Sequence, residues 1–141
     1  MPKNARYEAG LKVRREVLGP AWVDPLIERA QDDPFAATIQ DWVTEHCWGL
    51  VWTREGLPRK TRSMLNLAML TALGKMTEFK GHVRGAVQNG CTKDEIMEVL
   101  LHTTVYAGVP AGVDAFRTAK AYFDEAEKDG GKKKKKKKGK A

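Results

Sequence analysis

In the stretch from Gly56 to Gly90, four residues are of types and spacing that could do chemistry: Arg62, Asn66, Glu78 and His82. Four-residue spacing puts Arg62 and Asn66 on one face of a first helix, and Glu78 and His82 on one face of a second. A guanidinium grips a carboxylate through its fork of donors. An imidazole exchanges protons near neutral pH, and a carboxylate beside it orients it or shares that role. On a helix pair whose other faces are apolar these groups make a pocket wall; the rim of an ordinary helix pair has the same pattern. Asp41, Glu45, Trp48 and Trp52 form a further line at i, i+4, i+7 and i+11, and Glu98, His102 and Tyr106 another at four-residue steps. Tryptophans beside carboxylates line a polar pocket or bury a subunit interface; the plainer alternative is core filling, with Glu45 solvated.

The elements that must position these residues all read as helices. No segment alternates with period two, so the chain is expected to be all-α, with about seven helices and a central helix pair. The first spans about Arg6 to Leu18 and stops at Gly19-Pro20; the second runs from about Trp22 to Ala30. Asp32-Asp33-Pro34 starts a third, to about Val51, whose core stripe is Phe35, Ile39, Val43 and Cys47 or His46, so that His46 reads as structural. Pro58 suits the first turn of the fourth helix, whose Met64–Leu73 run is interrupted only by Asn66 and Thr71 and reads as buried on most sides. Thr92-Lys93-Asp94-Glu95 fits a capping box for the sixth helix. The seventh follows Gly108-Val109-Pro110 and runs to about Glu127, with Val113, Phe116, Ala119 and Phe123 inward.

The 141 residues make one domain, 1–129, followed by a lysine-rich tail, 130–141. The formal charge of +7 belongs to that tail. Eight of the 25 Lys and Arg lie in Lys132–Lys138 and at Lys140, and the remaining 17 face 18 Asp and Glu. Such a run is expected to be disordered and to attach weakly to polyanions, without specific nucleic-acid recognition. Two cysteines, Cys47 and Cys91, form no metal or redox spacing, and nothing reads as a signal peptide or a membrane span. The expected setting is cytoplasmic.

Six collinear segments carry a resemblance: Glu45–Trp52 (EHCWGLVW), Gly56–Ser63 (GLPRKTRS), Asn66–Leu73 (NLAMLTAL), His82–Ala86 (HVRGA), Asn89–Ile96 (NGCTKDEI) and Tyr106–Ala111 (YAGVPA). Over about residues 5–125 the chain resembles the γ-carboxymuconolactone decarboxylase family. That resemblance implies the all-α fold shared with alkylhydroperoxidase D proteins, assembly as a trimer or hexamer, and formation of the β-ketoadipate enol-lactone in the protocatechuate branch of aromatic breakdown.

The implied substrate carries a carboxylate on a ring carbon conjugated through a double bond to a lactone carbonyl. It is its own electron sink, so neither metal nor organic cofactor is required. The protein must hold two carboxylates, stabilise charge on the lactone oxygen and deliver a proton to the neighbouring carbon. Arg62 is the expected clamp, ahead of Arg84. His82 is the expected proton donor, with Glu78 or Glu45 orienting it or sharing the role. Trp48 and Trp52 are dry walls, with Asn66 and Tyr106 as further substrate contacts and His102 a weaker candidate. Thiol peroxidase chemistry is not expected: aligned on His82, the two cysteine positions of that enzyme type hold Lys75 and Glu78. The two E-x-x-x-H pairs, Glu78/His82 and Glu98/His102, lack the spacing of di-iron bundles.

Overall fold

A computed structural model describes residues 3–138, with side chains as far as residue 131. Every element among them is helical: α1 (Ala5–Leu18), α2 (Pro20–Ala30), α3 (Pro34–Trp42), a π-helix (Val43–Trp52), α4 (Arg59–Ala72), α5 (Met76–Gln88), α6 (Lys93–Ala107) and α7 (Val109–Lys138). Local chemistry sets the starts. Asn4 accepts from the Tyr7 amide and Asp33 from the Phe35 amide, satisfying N–H groups that a helix start leaves unpaired. The Thr92/Glu95 capping box forms in both directions. Gly19, Gly74, Gly90 and Gly108 take positive φ at the junctions between helices, where a side chain would be strained.

Two apolar clusters build the core. One joins α4, α5, α6 and α7 through Leu67, Phe79, Val83, Ala86, Ile96, Leu100, Ala115 and Ala119. The other joins α1, α2 and the π-helix through Val13, Val17, Leu18, Val23, Trp48 and Trp52. Glycines let the two halves approach. A Cβ on Gly85 would stand 3.0 Å from Val17 of α1, and one on Gly81 would stand 2.9 Å from the Trp22 ring of α2. α5, which carries His82, therefore lies on the seam.

The third expected helix is where the structure departs most from the sequence reading. It changes winding at Val43, and α3 buries none of its residues; Phe35 is 90% exposed and Ile39 54%. The buried positions are Thr44, Trp48 and Trp52. Winding with i→i+5 bonds is wider than 3.6 residues per turn, so side-chain directions beyond Val43 depart from those an α-helical period assigns. Of the expected stripe, Phe35 and Ile39 therefore face outward, while Val43 and Cys47 are half-buried and pack against the cluster that holds Trp48 and Trp52. α1 lies so close against this segment that a Cβ on Gly10 would fall 2.1 Å from the Thr44 carbonyl, and one on Gly49 2.3 Å from that of Arg6.

Three other expectations are corrected. α4 is not buried on most sides: Ser63, Leu67 and Thr71 face inward, while Leu65, Met69 and Leu73 are 47%, 53% and 68% exposed. An apolar run reports that a surface avoids water, not which chain covers it. α7 turns Ala115 and Ala119 to the core, with Tyr122 and Phe123 packed beside them, whereas Val113 and Phe116 are exposed. The helix also continues past Glu127 and through Gly130-Gly131 to Lys138. Extending a formed helix needs no new nucleus, and lysine is a good helix former. Residues 139–141 lie outside the described part.

Candidate active site

α4 and α5 pack side by side, and one residue from each of the i, i+4 faces predicted to carry chemistry meets the other between them. Asn66 Nδ2 lies 3.3 Å from His82 Nδ1. With the amide in this orientation it donates to Nδ1, and the proton of the neutral imidazole stands on Nε2. The π-helix closes the site from the other half of the protein. Trp48 and Trp52 stack on each other at 4.7 Å, and their rings lie 6.1 and 6.3 Å from that of His82, the first almost parallel to it at 3°. Both tryptophans are buried.

This enclosure fixes the protonation state of His82. Burial pushes its pKa down to about 4, Glu78 pulls it upward, and the positive charge of Arg14 pushes it further down. At neutral pH the ring is uncharged, because an imidazolium would lose its hydration with no carboxylate in contact to replace it. The group present at neutral pH is an uncharged ring with its N–H on Nε2.

The other predicted residues divide sharply. Arg62 lies one turn before Asn66 on α4. One of its terminal nitrogens donates to the Arg54 carbonyl at 3.1 Å, and its Nε is buried with no hydrogen-bond partner. Glu78 is exposed, one turn before His82. Glu45 is directed elsewhere: it accepts from Asn4 Nδ2 at 2.9 Å, stands 3.9 Å from Arg6, and lines a cleft of about 350 Å³ with Lys3, Tyr7, Asp41, Trp42 and His46. Tyr106 is 81% exposed and pairs with His102 at 5.1 Å, outside the His82 group. His46 stacks on Trp42 at 4.8 Å, with Nδ1 3.1 Å from the Trp42 carbonyl. Arg84 is exposed on α5. The two thiols are unpaired, and burial pushes that of Cys91 up, away from nucleophilic use.

Sequence reasoning missed Arg14. It is 5% exposed, and donates from Nη1 to Thr44 Oγ1 and from Nη2 to Gln40 Oε1, both at 2.9 Å. The signal was present, because Tyr7, Gly10, Arg14 and Val17 keep helical spacing along the buried side of α1. The Arg14-Arg15 pair reads as a solvated surface, and its first member is not one.

The all-α protomer thus brings together an uncharged imidazole, a stacked tryptophan pair beside it, a neighbouring amide and, one turn from that amide, an arginine. Residues 37–121 match the family model described as the carboxymuconolactone decarboxylase family. The chain is 42% identical over 125 residues to the 4-carboxymuconolactone decarboxylase of Acinetobacter baylyi, covering 89% of this chain and 92% of that one. It is 41% identical over 109 residues to the nitrosuccinic acid decarboxylase npaB of Metarhizium robertsii, covering 77% and 75%. The chain belongs to the carboxymuconolactone decarboxylase family.

Proposed function

We propose that this chain is a carboxy-lyase that removes CO2 from γ-carboxymuconolactone, giving the β-ketoadipate enol-lactone of protocatechuate breakdown without a cofactor. The observation that carries the reading is His82, kept neutral by burial beside the stacked tryptophan pair and tied to Asn66. Loss of CO2 leaves an electron pair that moves through the ring double bond onto the lactone carbonyl oxygen. His82 Nε2–H donates to that oxygen as charge arrives, and the Asn66 amide holds the tautomer that makes this possible. Trp48 and Trp52 keep the site dry, which favours exchange of a carboxylate for neutral CO2. Arg62 grips a substrate carboxylate through the fork of its guanidinium, whose Nε has no partner within the protein. The proton that completes the reaction on the neighbouring carbon comes from solvent by way of Glu78, the exposed acid one turn from His82.

A second substrate is favoured by the second relative. Nitrosuccinic acid is also a dicarboxylate with a built-in electron sink, a nitro group on the carbon that carries a carboxyl group. The site's parts, an anion clamp, a dry wall and one donor at the sink, suit either molecule. Incubating purified protein with each acid and following CO2 release, with and without chelator, tests both. Release from the lactone, unchanged by chelator, is expected. Release from nitrosuccinic acid alone moves the assignment to the second substrate, and release from neither removes the decarboxylase reading.

The working form is a homotrimer or homohexamer, supported by the exposed apolar side chains of α3, α4 and α6. No helix among the described residues is long and apolar enough to cross a membrane. The unpaired thiols support a reducing, cytoplasmic setting.

A further inference from the structure

Buried guanidinium groups are ordinarily matched by carboxylates, because an unmatched charge removed from water is costly. Arg14 is not so matched. Its two terminal nitrogens meet neutral oxygens, on Thr44 and Gln40, and its Nε is buried with no partner. Among the described residues it makes no ion pair, and the neighbouring acids are engaged elsewhere: Glu16 with Arg59 and Lys12, Asp24 with Arg15, Glu45 with Arg6. Burial pulls the pKa of Arg14 down from the ordinary arginine value. It is joined through Thr44 to the helix that carries Trp48 and Trp52, one and two turns further on.

We propose that Arg14 is a positioning residue of the His82 site, a fixed positive charge left uncompensated within the protein so that a dianionic substrate supplies its counter-charge. Arg14 does not touch the substrate. It acts through space, and by holding Thr44 and hence the phase of the π-helix. A preorganised charge in a poorly solvated site acts with far greater force than one in water, and needs no reorganisation when the ligand arrives. The field of Arg14 reaches His82, where it opposes protonation. The remaining charged group acting on that ring is Glu78 of α5; Asn66 from α4 and the two tryptophans from the π-helix are uncharged. The proposal rests on the reading of this site as the place where a dicarboxylate binds.

The test uses Arg14→Met, which removes the charge at similar volume, Arg14→Gln, which can still donate to Thr44, and Arg14→Lys, which restores the charge. The probe is the ring-saturated lactone, which keeps both carboxylates but has no double bond to receive electrons. Its affinity is measured by calorimetry, and the His82 titration by NMR of the ring protons. Loss of one well-oriented charge is expected to weaken binding about tenfold or more in the Met and Gln variants, with Lys recovering most of it. The His82 midpoint should rise from about 4 in both neutral variants, though not to its ordinary value, since burial persists. Equal binding and equal midpoints in folded Met or Gln variants overturn the proposal, as does a Lys variant as weak as Met. Turnover of γ-carboxymuconolactone by the unaltered protein is scored separately. No turnover with charge-dependent binding keeps Arg14 and removes the reaction; turnover without charge dependence removes Arg14 alone; neither binding nor turnover removes both.

Discussion

His82 is the residue on which protonation, stability and activity converge. Its folded pKa of about 4 lies below its ordinary value of 6.5. As pH falls, the unfolded chain takes up this proton first, so the stability tied to the neutral ring is full above about 6.5 and drains away as pH approaches 4. The whole effect is up to about 3 kcal/mol, and denaturant midpoints measured from pH 7 to 4 should follow it. Turnover should require the neutral ring, with kcat/KM level from pH 5 to 8 and falling as pH drops through about 4; a rise toward low pH would instead restore the imidazolium donor. His82→Gln still offers an N–H and should lose about tenfold, whereas His82→Leu offers none and should lose about 10²–10³ in kcat. Arg62→Lys keeps the charge without the fork, so KM should rise about tenfold with a smaller loss in kcat; the reverse split would take Arg62 out of carboxylate binding. At this scale the sequence was informative where helices are regular. Asn66 and His82 meet as their four-residue spacings imply, because α4 and α5 wind with the ordinary period. Glu45 and Tyr106 stand apart from His82 in the protomer, because a face shared with a tryptophan or a histidine does not say which neighbour that face meets.

At the scale of the element, the π-helix decides what reaches His82. Its winding brings Thr44, Trp48 and Trp52 to one buried line, and α1 seats against it backbone to backbone at Gly10 and Gly49. Gly10→Ala and Gly49→Ala each drive a methyl group into a carbonyl that cannot move without moving the helix. Each should cost about 1–3 kcal/mol and disturb tryptophan fluorescence, with turnover lost alongside. Alanine variants with unchanged melting temperature and spectrum would mean that this contact does not hold the site. Helix starts and stops were largely legible, since proline, glycine, Asn4, Asp33 and the Thr92/Glu95 box act locally. The change of winding at Val43 was not, because it arises from packing against a helix almost forty residues earlier in the chain.

For the whole molecule, the large apolar side chains are divided between inside and outside. Phe35, Ile39 and Trp42 on α3, and Leu65, Met69, Leu101 and Val105 across α4 and α6, are all more than two-fifths exposed in the single protomer. Light scattering should therefore report a trimer or hexamer at micromolar concentration, and a stable monomer would remove the proposed assembly. Deleting residues 131–141 should leave melting temperature and turnover nearly unchanged, because the two core clusters end at Phe123; unfolding on deletion would make the lysine run part of the working structure. The seam between those clusters has its own consequence. His82 and Asn66 belong to one half and the tryptophans to the other, so partial opening of either half dismantles the site before the chain as a whole unfolds. A ligand bound there joins the two halves into one cooperative unit. The ring-saturated lactone should then slow amide hydrogen exchange in α1 and the π-helix to the rate of α5, however loosely the N-terminal helices are held without it.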